Sequence, residues 1–163
     1  MAAAIVGSST GRALFRYAPR PIALVVPVDG VRPGSISSSW GEARSGHRRH
    51  RGVDIFARRG TPVVAAADGE VVSIATLPLG GRVVWVAGDG ATVYYYAHLD
   101  RWRAGLTVGE NVRAGETLGY VGNTGNAATT SPHLHFGIYP AWRGFRPIDP
   151  APLLRHARTK SRA

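Results

Sequence analysis

The run Ser131-Pro132-His133-Leu134-His135-Phe136 carries the residue types best suited to chemistry in this chain. With Gly137, Ile138 and Tyr139 behind it, it alternates with the period-2 pattern of a β-strand. On a strand, residues i and i+2 share a side and lie roughly 6.6 Å apart. Both imidazoles therefore face one spot, while Leu134 and Phe136 face the other way, into a core. Two neutral imidazoles aimed at one point suit a metal ligand with an acid/base partner, or two metal ligands. Two surface histidines on an exposed strand would show the same spacing, so the remaining histidines decide.

His50 and Asp54 stand at i and i+4 in His47-Arg48-Arg49-His50-Arg51-Gly52-Val53-Asp54-Ile55-Phe56. Gly52 and its β-branched neighbours argue against a helix. A straight strand would hold the two side chains roughly 13 Å apart, too far to share an ion. A shared site requires a bend, and Gly52 is the residue able to supply a bulge. Asp54, between Val53 and Ile55, is awkwardly placed unless something pairs with it. His47 has no Asp at the matching distance and belongs to a solvated, basic loop. His98 closes the run Ala91–Leu99, where a strand end lets a side chain reach a cleft.

The elements that must position these residues read as short strands and turns. Ile22 to Val28 forms a first strand, interrupted by Pro27. Residues 32–44 form a long Gly- and Ser-rich loop, in which Trp40 serves as a packing anchor. Strands follow over Pro62–Ala65, Glu70–Ile74 and Arg82–Val86, and Gly88-Asp89-Gly90 is a hairpin signal leading into the next. Residues 108–122 repeat an apolar-x-x-Gly rhythm of tight turns, and the loop 123–130 delivers the chain to His133. Asp149-Pro150 predicts an N-cap with proline at the first helical position, hence a short closing helix over Ala151–Arg155.

The chain has 163 residues, with 21 glycines, 11 prolines and no cysteine. That length suits one domain with a sizeable core, and the glycine and proline content favours a β-rich fold over a helical bundle. Without thiolates, any metal must take His, Asp or Glu ligands. No run approaches the roughly 18 apolar residues needed to span a bilayer, so a transmembrane protein is not expected. The N-terminal apolar run is too short for a signal-peptide core and no basic segment precedes it. The expected organisation is a loose lead-in over residues 1–20, a domain over 21–155 and a basic, frayed tail over 156–163. The formal charge of +10 rests on arginine, Lys160 being the sole lysine. Such a surface is drawn to polyanions, but no recognition helix, finger spacing or interleaved stacking aromatics points to specific nucleic-acid binding.

Together these motifs resemble the M23 metallopeptidases of the lysostaphin/LytM type. The resemblance rests on His50-x-x-x-Asp54, Gly60-Thr61-Pro62-Val63, Ala67-Asp68-Gly69, Tyr96-Ala97-His98-Leu99, Gly115-x-x-x-Gly119 and His133-Leu134-His135-Phe136. It spans about residues 22–152 in the family's order. It implies a mainly β fold, an antiparallel sheet with a substrate groove. It implies one zinc ion held by the positions matching His50, Asp54 and His135, with His98 and His133 flanking the metal as catalytic residues. Family members often have Gly-x-Arg after an aromatic before the first histidine. This chain has the longer Trp40-Gly41-Glu42-Ala43-Arg44.

Two imidazoles and a carboxylate leave a fourth zinc position open, the arrangement of catalytic rather than structural sites. His133, beside His135, is placed to take a proton from water and hand it to a leaving amine. His98 would orient that water or steady an oxyanion. The implied function is a zinc endopeptidase cutting the stem or cross-bridge peptides of bacterial peptidoglycan. It would work in the cell envelope, in the periplasm or outside the cell, with anionic wall polymers as further partners. The alternative is a catalytically silent LytM-like domain that binds peptidoglycan or activates another wall hydrolase. Such domains typically lose zinc ligands, whereas all five positions stand here. A lipoyl- or biotinyl-type carrier shares the turn rhythm, but it needs a lysine on a hairpin tip, and Lys160 lies in the tail.

Overall fold

Strands form where β-branched and aromatic residues alternate. A computed structural model of the chain describes residues 23–88 and 90–160. The expected lead-in lies outside the described residues. The strands are β1 (Ala43–Arg44), β2 (Arg48–Arg49), β3 (Val53–Phe56), β4 (Pro62–Val64), β5 (Gly69–Leu77), β6 (Gly81–Gly88), β7 (Thr92–Trp102), β8 (Asn111–Val112), β9 (Thr117–Val121) and β10 (His133–Pro140), followed by helix α1 (Ala151–Arg155). The main sheet runs β3-β10-β7-β6-β5-β8, with β9 joining β7 to β4, and β1 pairs with β2 as a separate ribbon. Every pairing between these strands is antiparallel. The fold is thus the mainly β, LytM-like architecture that the motifs imply. Among the described residues no helix is long and apolar enough to cross a membrane.

Alternation on β10 sorts its side chains as expected. Leu134, Phe136 and Ile138 are fully buried, and each contributes about 1.5–3 kcal/mol by leaving water. On β7, Tyr94 and Tyr96 point inward with them, whereas Tyr95 is only partly buried. Phe136 packs between the inward tyrosines, 6.2 Å from the Tyr94 ring and 5.3 Å from the Tyr96 ring. The Tyr96 hydroxyl accepts the Ala66 N–H at 2.8 Å, which ties the loop after β4 to the sheet.

Three expectations need correction. Residues 23–28 are not a strand but make two isolated bridges, Val25 to Arg158 and Val28 to Val63. Pro27 offers no N–H to a ladder, so a continuous strand cannot run through it. The tail is tied down at Arg158, whose N–H reaches Leu24 O at 2.8 Å and whose carbonyl accepts the Val26 N–H at 2.9 Å. Helix α1 forms where expected, but Pro150 occupies the cap position. Asp149 still accepts the Ala151 N–H through Oδ1 at 2.9 Å, satisfying one orphan donor from a residue earlier.

Candidate metal centre

Strands β3 and β10 pair directly, His135 opposite Asp54 and His133 opposite Phe56. That register puts Asp54, His133 and His135 on one face, above the buried row. His50 arrives from the segment before β3, where the chain bends at Gly52. The glycine is needed less for a bulge than for clearance. A Cβ there would lie 2.5 Å from the Phe136 carbonyl oxygen and 2.7 Å from the His135 ring.

Three donor atoms converge. His50 Nε2 lies 2.8 Å from His135 Nδ1 and 3.1 Å from Asp54 Oδ1, and His135 Nδ1 lies 3.0 Å from the same oxygen. These separations suit a single ion with ligand distances of about 2.0–2.2 Å. Protonation supports that fit. His50 Nδ1 is 2.8 Å from the Ser39 carbonyl, which can only accept, so Nδ1 carries the proton. A neutral His50 then turns a bare Nε2 lone pair towards a carboxylate, two acceptors that only a cation or a shared proton can reconcile. Burial alone would raise the Asp54 carboxyl, but a proton shared with the His135 and His50 rings, in the place an ion would take, holds it well below its usual range. Burial pulls the His135 imidazole down, against the opposing pull of Asp54. Neutral imidazoles and an ionised carboxylate are the forms that bind metal.

The other two expected histidines border this cluster. His133 Nδ1 donates to Ser131 O at 2.8 Å, and its Nε2 stands 3.9 Å from Asp54 Oδ1. His98 Nδ1 donates to Thr124 O at 2.9 Å. Its ring centre lies 5.0 Å from that of His133 and 5.9 Å from that of His135. His98 holds a left-handed backbone, φ 63°, a costly conformation that a non-glycine residue keeps only where its surroundings impose it. Thr124 does so: its hydroxyl donates to Leu99 O at 2.9 Å and accepts the Arg82 N–H at 3.0 Å. Burial, joined by the nearby His133 and His135, pulls His98 down to about 4 despite the Thr124 carbonyl. His47 is exposed in the β1–β2 turn, on the solvated loop that the sequence suggests.

Sequence reasoning missed two features. Arg44 Nη2 donates to Asp54 Oδ2 at 2.7 Å, a contact made across a hairpin that spacing alone does not reveal. Beside the cluster lies an aromatic floor. Tyr95 meets the His135 ring edge-on at 5.9 Å, and Trp85 packs on Tyr95 at 4.2 Å and on Tyr139 at 5.3 Å. The period-2 reading of Tyr94-Tyr95-Tyr96 was the available signal, since Tyr95 alone turns outward.

An antiparallel sheet bearing a two-histidine, one-aspartate cluster with two further imidazoles defines the class: a β domain whose three converging donors could hold a single metal ion. Residues 48–150 match the profile of peptidase family M23, and the chain belongs to that family. It is 36% identical over 129 residues to the L-Ala–D-Glu endopeptidase of Bacillus subtilis, covering 74% of this chain and 40% of the relative. The catalytic domain of lysostaphin from Staphylococcus simulans superposes with a TM-score of 0.65 at 30% identity, covering 76% of this chain and 95% of that one. A zinc-containing peptidase from Vibrio cholerae superposes with a TM-score of 0.65 at 28% identity, covering 77% of this chain and 38% of that one. The chain spans less than half the length of the curated relatives it matches first. The resemblance drawn from the motifs therefore holds, and the donor set is one that could hold a single zinc ion.

Proposed function

We propose that this chain is a zinc-dependent endopeptidase that hydrolyses peptide bonds in the stem or cross-bridge peptides of peptidoglycan. The observation that carries this reading is the triangle of His50 Nε2, Asp54 Oδ1 and His135 Nδ1, with sides of 2.8–3.1 Å, beside two more imidazoles. These three residues are the proposed ligands. The relatives support the substrate class, being named as an L-Ala–D-Glu endopeptidase, a glycyl-glycine endopeptidase and a peptidoglycan DD-endopeptidase. Residues 21–155 are the proposed catalytic unit, working in the cell envelope, in the periplasm or outside the cell.

When bound, zinc supplies Lewis-acid activation of a water and of the scissile carbonyl. The protein's own groups do the rest. His133 has its Nδ1–H committed to Ser131 O, so its Nε2 is an acceptor, able to take the water's proton and return it to the leaving amine. His98 has its Nδ1–H committed to Thr124 O, so while neutral its Nε2 can accept but not donate. It therefore orients the attacking water rather than hydrogen-bonding an oxyanion. The aromatic rings of Tyr95, Trp85 and Tyr139 give the cluster an apolar flank beside His135. The intact pair His98 and His133 disfavours a silent, purely binding domain.

The test is turnover of purified muropeptides of defined cross-link, followed by chromatography with and without a chelator. Cleavage that stops with chelator and falls about 10²–10⁴-fold in His133→Ala is expected. Chelator-resistant cleavage, or full turnover by His133→Ala, would overturn the mechanism.

A further inference from the structure

Asp54 divides its two oxygens between different neighbours. Oδ1 faces His50 Nε2 at 3.1 Å and His135 Nδ1 at 3.0 Å, whereas Oδ2 takes an N–H of Arg44 at 2.7 Å. Turning the carboxylate about its Cβ–Cγ bond, so that both oxygens faced the histidines, would forfeit the arginine. The arginine's charge cannot itself favour a divalent ion nearby, since the two repel. What the contact provides is orientation.

The chain is built to deliver this contact. In the β1–β2 ribbon Ala43 pairs with Arg49 and Arg44 with Arg48. The ladder continues through His50 N–H to Glu42 O at 2.9 Å and Gly41 N–H to His50 O at 3.0 Å. One ribbon thus carries both His50 and the arginine that contacts Asp54. The loop leading into the ribbon clasps the same pair, because Ser39 O accepts from His50 Nδ1 at 2.8 Å and Ser39 Oγ from the Asp54 N–H at 3.4 Å. Glu42, exposed, lies 3.7 Å from the Arg44 guanidinium on its outer side.

We propose that Arg44 is a positioning residue, holding Asp54 with one oxygen turned to the ion and acting through that carboxylate rather than on substrate. The proposal rests on the metal centre described above. Its test measures zinc affinity by competition with a chromophoric chelator, and the visible absorption of the cobalt(II)-loaded chain, for the wild type, Arg44→Ala and Arg44→Lys. Far-ultraviolet circular dichroism and the thermal midpoint of each metal-free chain are taken alongside. Arg44→Ala is expected to weaken zinc binding about 10- to 100-fold and to shift the cobalt spectrum. Arg44→Lys, with a donor but no planar fork, is expected to recover part of the loss. In an Asp54→Ala background, which loses zinc on dialysis but is titrated directly against a weak chelator with zinc in excess, Arg44→Ala is expected to change the residual affinity less than about twofold. That double-mutant comparison separates positioning from a general loss of folding. Unchanged affinity and spectrum in Arg44→Ala, or an effect that persists without Asp54, would overturn the proposal alone. A wild-type chain that takes up no zinc would overturn it together with the metal reading beneath it.

Discussion

Gly52 illustrates how much one residue decides. The sequence predicts a glycine there because the chain must bend between His50 and Asp54. The structure gives the sharper reason, that atoms of His135 and Phe136 occupy the space a side chain would need, at 2.5–2.7 Å from any Cβ. Gly52→Ala is therefore expected to displace the His135 ring and cost about 1–3 kcal/mol in overpacking. Urea unfolding of the metal-free protein checks it; an unchanged midpoint would show that the ring has room to give. The shared face of His133 and His135 was legible because period-2 alternation fixes which side chains point together. Arg44 was not, because its partner lies 10 residues away across a ribbon, and nothing in residue spacing encodes that return.

At the scale of elements, β7 carries its histidine at a local break in register. Pairing with β6 shifts between Arg82 and Val84, and pairing with β9 between Leu99 and Arg101, so His98 leaves the regular ladder and turns to the site. Burial holds its folded value at about 4 against an ordinary 6.5. Between those values the unfolded chain binds a proton that the folded chain refuses, so stability rises with pH across that window and is fully present above it. The metal-free protein is expected to show a lower urea midpoint at pH 5 than at pH 7.5, a difference that narrows in His98→Gln. Equal midpoints would contradict the burial of a neutral ring. The hairpin of β6 and β7 and the helix α1 were readable from turn and cap signals. The stretch over residues 23–28 was not, because an apolar run does not reveal whether Pro27 will leave it a ladder.

Over the whole molecule, the formal charge of +10 sits on a surface whose acidic groups are largely engaged. Asp100 pairs with Arg59 and Arg101, and Glu110 with Arg103. The surplus arginines give a field that attracts anionic polymers over a Debye length of about 8 Å at physiological salt. Retention on purified cell walls is accordingly expected to fall as sodium chloride rises from about 0.05 to 0.5 M, while turnover of a small soluble muropeptide changes far less. Equal sensitivity of both would place the salt effect at the catalytic centre instead.

The proposed activity depends on three side chains from two separated segments meeting at one ion. Zinc stoichiometry of the purified, dialysed chain, measured by plasma mass spectrometry, tests this most directly. About one zinc per folded chain is expected, falling to near zero when His50, Asp54 or His135 is replaced by alanine. A folded wild-type chain free of zinc, or three such variants that keep it, would contradict the account.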